Sequence, residues 1–190
     1  MARWEPHAAE RLVRAALELF TEQGYDHTTV AEIAAHAGLT KSTFFRHSPD
    51  KREILFLGQD QLYELLASGI AGAPAGATPL ETVAAGLDEL AVAFSAGRRD
   101  FGPRRRAVIA AHPELQEREA LKRRGYAAAI HEALQARGVD DPVAIVAGEL
   151  GALAIGRAYS RWSDPGNAED FGAVARQVLD ELRSATVALG

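Results

Sequence analysis

The chain has no cysteine. That excludes disulfides, thiolate metal sites and a cysteine nucleophile. It also has no long uninterrupted apolar run. The most weakly charged stretch, Leu65 to Leu80, is broken by Gly69, Gly72, Pro74, Gly76 and Pro79, so it cannot form a spanning helix. The first residues, Met1 to His7, carry no apolar core of the signal-peptide kind, and Glu10, Arg11 and Arg14 follow at once. The expectation is a cytoplasmic protein that does not engage membranes. An excess of positive charge is missing too. Formal charge is −5 and the isoelectric point is near 5.7, which argues at first against nucleic acid as a partner. What remains is ordinary for a folded chain of 190 residues, 47% apolar and 25% charged, enough for one compact domain or a small module fused to a medium one.

Alanine occurs 38 times, which leans towards helix, and no segment alternates like a strand. Pro6 suits a first helical turn, and Leu12, Ala15, Ala16, Leu19 and Phe20 recur at helical spacing until Gly24. Thr29 with Glu32 three residues on matches a capping box, opening a short helix over 30–37 that ends at Gly38. Thr40 caps a second short helix over 41–47, and Ser48-Pro49-Asp50 ends it. A longer helix is expected from 50 to about 68 through Leu55, Leu62 and Leu66, followed by a linker over 69–78. Further helices are predicted over 79–96, 103–111 and 114–137, from 140 to about 162, and over 168–189, with a charged turn at 97–102 and a strong turn at 163–166. The expected fold is all-α with about nine helices. It divides into a three-helix module over 1–50 and a helical ligand-binding and dimerisation domain over 51–190.

Residues 30–49 meet the demands of a helix-turn-helix. Two short helices crossing steeply need a small residue where they touch, and Ala34 supplies it. The turn needs a positive backbone angle four residues later, which Gly38 adopts without a Cβ penalty. The pair needs its own apolar core, given by Ile33, Ala37, Leu39 and Phe44. The second helix would enter the major groove, presenting Lys41, Ser42, Thr43, Phe45, Arg46 and His47. Arg46 can donate two parallel hydrogen bonds to guanine, a contact worth roughly 1–3 kcal/mol of discrimination. Phe45 has no donor, so it touches a thymine methyl, a sugar, or its own neighbours. His47 is either a phosphate donor or a cap.

The flanks extend the pattern. Phe20-x-x-x-Gly24-Tyr25-x-x-Thr28-Thr29-Val30-x-x-Ile33-Ala34-x-x-Ala37-Gly38-Leu39-Thr40-Lys41-Ser42-Thr43-Phe44-Phe45-Arg46-His47, then Pro49-Asp50-Lys51-Arg52-Glu53-x-Leu55, resembles the N-terminal signature of the tetracycline-repressor-like (TetR) family of bacterial transcription regulators. The resemblance is strong over about the first 57 residues; the rest agrees in layout and length. It implies that Thr29 and Lys51 clamp phosphates. Two positions depart from it. Phe45 stands where the family usually has tyrosine, and Ser48 replaces the usual aromatic residue, which predicts looser packing under the recognition helix.

Resolved along the chain, the charge tells a different story from its total. Residues 41–52 hold four basic side chains against one acid, while 58–190 hold 14 basic and 18 acidic. The acidic excess lies mostly outside the segment expected on DNA.

Short recognition helices gain useful specificity in symmetric pairs. A homodimer through the last two helices is the favoured arrangement, mainly from the family layout. Gly148, Gly151, Ala152 and Gly156 would let a partner backbone come close, and Phe171, Val174, Val178, Leu182 and Ala185 make a stripe. The alternative is that these stripes seal the chain's own core. In the family the intervening helices enclose an effector pocket, for which the candidates are Leu62, Leu66, Leu87, Leu90, Phe94, Arg105, Val108, Ile109, Tyr126, Ile130, Tyr159 and Trp162. The run Arg104-Arg105-Arg106 resembles a branch thought to sense acyl-CoA-like ligands. Against this stands a solvated or salt-bridged face, favoured by Glu114, Glu117 and Glu119 nearby.

Enzyme readings find little support. His131-Glu132 lacks a second histidine at the spacing of a zinc helix, and no glycine-rich phosphate loop is present. No metal or cofactor is expected. Two functions remain. One is a repressor released from a palindromic operator by a small apolar or amphiphilic effector, with the helix over 50–68 as a lever between domains. The other is a helical small-molecule-binding or adaptor protein with a vestigial helix-turn-helix.

Overall fold

A computed structural model describes residues 8–94 and 96–189; the expected helix start at Pro6 lies outside the described residues. Among them are nine α-helices of seven residues or more, and no strand. They are α1 (Ala8–Glu22), α2 (Val30–His36), α3 (Lys41–His47), α4 (Gln59–Gly72), α5 (Pro79–Ala91), α7 (Gly102–Ala111), α8 (Pro113–Ala136), α9 (Asp141–Trp162) and α10 (Phe171–Ala188). A four-residue helix, α6 (Ala96–Arg99), stands within the expected charged turn, and Glu53–Phe56 forms one 3-10 turn.

The chain packs as two compact units. The first joins residues 1–57 to 104–119, and the second joins 58–103 to 120–190. In the first, the apolar side of α1 (Leu12, Ala15, Ala16, Leu17, Phe20) is buried together with Ile33, Phe44, Ile54 and Leu55. Val108, Ile109 and Leu115 from the second segment are buried with them. Two contacts show how that segment is tied in. The Tyr25 and His112 rings lie 4.8 Å apart, and Arg105 donates to the carbonyl of Leu55 at 3.2 Å.

The continuous helix expected over 50–68 does not form. Gly58 takes a left-handed backbone (φ 79°) after the 3-10 turn, and this breaks the ladder before α4 begins. At its other end α4 runs on to Gly72, into the segment expected to be a linker. Gly69 belongs in that helix because α5 passes against it. A Cβ on Gly69 would stand 2.6 Å from the Ala85 carbonyl oxygen and 2.8 Å from Gly86 Cα. Backbone atoms of a packed helix cannot retreat cheaply. Gly69→Ala is therefore expected to destabilise the second unit by about 1–3 kcal/mol, read as a lowered urea midpoint with unchanged slope.

The second unit's core is built from α4, α5, α9, α10 and the later part of α8, centred on Leu66, Leu87, Leu90, Ile130, Ile155, Trp162 and Val174. Phe94 stacks on Phe171 at 3.8 Å, and the Trp162 ring stands edge-on to both. By length and composition alone α9 could cross a membrane, but Ala144, Ala147, Gly148, Gly151, Ala152, Ala154 and Ala158 give it a buried small-residue face.

Candidate nucleic-acid interface

The helix pair α2–α3 is fixed at every corner. At the start of α2, Thr29 accepts from the Glu32 N–H, while its own N–H and hydroxyl donate to the Glu32 carboxylate at 2.8 and 2.7 Å. The Thr29 hydroxyl and N–H hold that carboxyl below the usual carboxylate range. Their contribution to stability is thus present at neutral pH and lost as pH falls through the lowered value. At the end of α2, Gly38 turns with φ 64°, and the Leu39 N–H closes on the Ala34 carbonyl at 2.8 Å. Arg11 braces the turn from α1, donating to the carbonyls of Ala37 and Gly38. That brace is non-local and nothing near Arg11 in the sequence announces it.

In α3 the Thr40 hydroxyl accepts from the Thr43 N–H at 3.1 Å. Lys41, Ser42, Phe45, Arg46 and His47 are exposed on the same short helix, and Phe44 is buried beneath it. Two expectations change. Thr43, expected among the groove-facing side chains, is buried at 6% exposure, and its hydroxyl meets Thr40 and accepts from an Arg46 guanidinium nitrogen at 3.0 Å. It orients Arg46 rather than presenting itself. Ser48 leaves no looseness either. It is buried at 1% exposure, its N–H closes on Phe44, and its hydroxyl donates to the Asp50 carbonyl at 2.8 Å.

Beyond α3, the Asp50 carboxylate accepts from the N–H groups of Arg52 and Glu53 and pairs with the Arg52 side chain, which takes part of the local positive charge. Lys51 spends two donors on the carbonyls of Tyr25 and Thr28, at 2.7 and 3.0 Å, and its ammonium sits 4.1 Å from the Tyr25 ring centroid. Any phosphate contact from Lys51 uses its remaining N–H. Tyr25 is buried, and burial followed by the Glu114 carboxylate pushes its ionisation far up, so it stays a neutral phenol. The surface that results carries Lys41, Arg46 and His47 around an apolar ring on a rigid frame.

The pocket candidates separate. Leu66, Leu87, Leu90, Ile130 and Trp162 lie within the second unit's core, and Leu62, Phe94, Tyr126 and Tyr159 pack against it half-buried. Arg105, Val108 and Ile109 belong to the first unit. There Arg105 pairs with Glu119 at 3.0 Å and lies over the Phe56 ring. Shallow grooves on the described surface include two of mixed polar and apolar lining. One is lined by α1 and α2 residues including Glu10, Arg14 and His36, the other by Arg161 at the end of α9 and the loop that follows to Glu169.

On α9, Val143, Ile145, Val146 and Leu153 are exposed, whereas Gly148 and Gly151 are occupied inside the chain. A Cβ on Gly148 would stand 2.8 Å from the Ala127 carbonyl oxygen, and one on Gly151 would stand 2.5 Å from Ile130 Cδ1. Phe171, Val174 and Val178 of the α10 stripe face the unit's own core.

Among the described residues, a braced helix-turn-helix whose second helix exposes donors has the shape and chemistry suited to a nucleic-acid groove. Residues 12–56 match the family described as bacterial regulatory proteins, tetR family. Over 74 residues the chain is 39% identical to the HTH-type transcriptional regulator TcmR of Streptomyces glaucescens, covering 39% of this chain and 33% of that one. Over 46 residues it is 35% identical to the HTH-type regulator YerO of Bacillus subtilis, covering 24% and 16%. The match thus spans about a third or less of these relatives' length. The whole fold is shared with SmeT in its triclosan complex (TM-score 0.61, 18% identity, 94% and 90% covered). It is shared also with FadR of Bacillus subtilis in complex with stearoyl-CoA (TM-score 0.55, 20% identity, 91% and 96% covered).

Proposed function

We propose that the protein is a homodimeric, cytoplasmic transcriptional repressor that holds a palindromic operator and lets go of it when a small apolar or amphiphilic effector binds the C-terminal region. The observation that carries the reading is the α3 surface. A seven-residue helix is too short to hold a core alone, yet here it is braced by Thr40, Thr43 and Ser48 while Lys41, Arg46 and His47 are left outside. That arrangement suits a groove and serves no packing purpose.

Supporting the dimer is the exposed apolar side of α9. Four large aliphatic side chains facing water are costly for a monomer and ordinary for an interface. Supporting the effector is its chemistry in proteins of the same fold, where triclosan is largely apolar and stearoyl-CoA joins a long apolar chain to a polyanionic head. The residues proposed to meet it are the half-buried Leu62, Phe94, Tyr126 and Tyr159, which border the packed core. The protein binds rather than catalyses in this reading.

The test is selection of random duplexes on the purified protein, followed by titration of the winners at several salt concentrations. An inverted repeat is expected, with a salt slope of roughly −6 for a dimer meeting three to four phosphates per subunit, at ~0.9 per phosphate. Failure to enrich any sequence at low salt would leave the helical ligand-binding or adaptor reading.

A further inference from the structure

Among the described large hydrophobic side chains of the first unit, Phe45 is the one exposed, at 50%, and it stands in the middle of the recognition surface. Its ring is held rather than loose. Phe44, wholly buried, meets it edge-on at 5.5 Å, and the Lys41 ammonium lies 5.9 Å from its centroid. Its neighbours Lys41, Arg46 and His47 all offer N–H donors, suited to phosphates and to guanine. A ring with neither donor nor acceptor gains nothing from those groups. The one apolar feature on the major-groove edge of a base pair is the 5-methyl group of a pyrimidine.

Resting on the DNA-binding reading above, we infer that Phe45 is a specificity-determining residue that recognises a pyrimidine 5-methyl group in each half-site. It would read thymine in unmodified DNA, and 5-methylcytosine equally, because both carry the methyl at the same place. Lys41 then serves the adjoining phosphate. Operator affinity would accordingly depend on cytosine-5 methylation wherever cytosine replaces that thymine.

The experiment takes a duplex obtained by selection and replaces each thymine in turn by deoxyuridine, which removes the methyl and nothing else. For the wild-type protein one position per half-site is expected to lose about 4-fold in affinity, and about 15-fold when both half-sites are changed, the worth of one buried methyl each. At that position a 5-methylcytosine–guanine pair is expected to bind about 4-fold tighter than cytosine–guanine. With Phe45→Ala, an exposed position whose folding is checked by its urea midpoint, both differences are expected to vanish. With Phe45→Leu they should largely remain, since an apolar side chain persists. If deoxyuridine has no effect at any position of a tightly bound duplex, the inference is overturned while the DNA-binding reading stands. If the loss persists undiminished in Phe45→Ala, another side chain reads the methyl and the inference fails. If selection enriches no duplex at all, it is the DNA-binding reading that has failed, and this inference with it.

Discussion

Arg46→Ala is expected to weaken the selected duplex by roughly 30-fold to 20,000-fold. A bidentate arginine–guanine contact is worth about 1–3 kcal/mol, it occurs twice in a symmetric dimer, and each ~1.4 kcal/mol is tenfold. The fold should scarcely notice, because the side chain is exposed and its one internal bond goes to the Thr43 hydroxyl. Binding to unrelated duplex should change little. If specific and unrelated duplexes weaken equally, and the salt slope drops by about one per subunit, Arg46 is a phosphate contact and base recognition lies elsewhere. Arg46→Lys distinguishes the two further, since it keeps the charge and loses the fork. The hydroxyl of Thr43 fixes one guanidinium nitrogen, so the remaining donors approach the groove with less freedom to lose.

Trp162→Ala is expected to be the most damaging single change in the second unit. Its side chain is 1% exposed, edge-on to Phe94 and Phe171 at 5.5 and 5.8 Å, and Arg99 lies 5.2 Å from its ring centroid. Loss of a buried tryptophan costs about 3–5 kcal/mol. In a chain of this size that lowers the melting temperature by about 6–20 °C. The measurement also decides what this aromatic group is for. A wall of an effector cavity would lose binding and under about 1 kcal/mol of stability, whereas a core residue loses stability first. The stacking of Phe94 on Phe171 and the tight surroundings of Trp162 favour the core.

The helix-turn-helix was legible because its requirements are local. Ala34 at the crossing, Gly38 at the positive angle and Thr29 and Thr40 as caps all act within a few residues of the backbone they shape. Helix count and most boundaries followed from the same kind of signal. What escaped was non-local. One glycine inside a helical pattern does not declare whether it breaks the helix, as Gly58 does, or admits a neighbour, as Gly69 does. The periodic stripe on α10 shows that Phe171, Val174 and Val178 must be covered, not by what, and the cover proves to be this chain. Thr43 has the residue type of a groove contact, and only its position over the Arg46 side chain reveals its role. The tie between Tyr25 and His112 spans too much sequence for any periodicity to record it.

That tie has a consequence for how such a protein can be reshaped. The unit that carries the helix-turn-helix is assembled from two stretches of chain, 1–57 and 104–119, with Arg105 on Leu55 and Arg118 paired with Glu53 as further joints. A graft cut at residue 57 would carry the recognition helix but leave Val108, Ile109 and Leu115 behind, and with them part of its own interior. Swapping reading heads between proteins of this build therefore takes three cuts, after 57, before 104 and after 119. A substitution in 104–119 that opens the packing around Val108, Ile109 or Leu115 therefore loosens the same unit that carries the recognition helix.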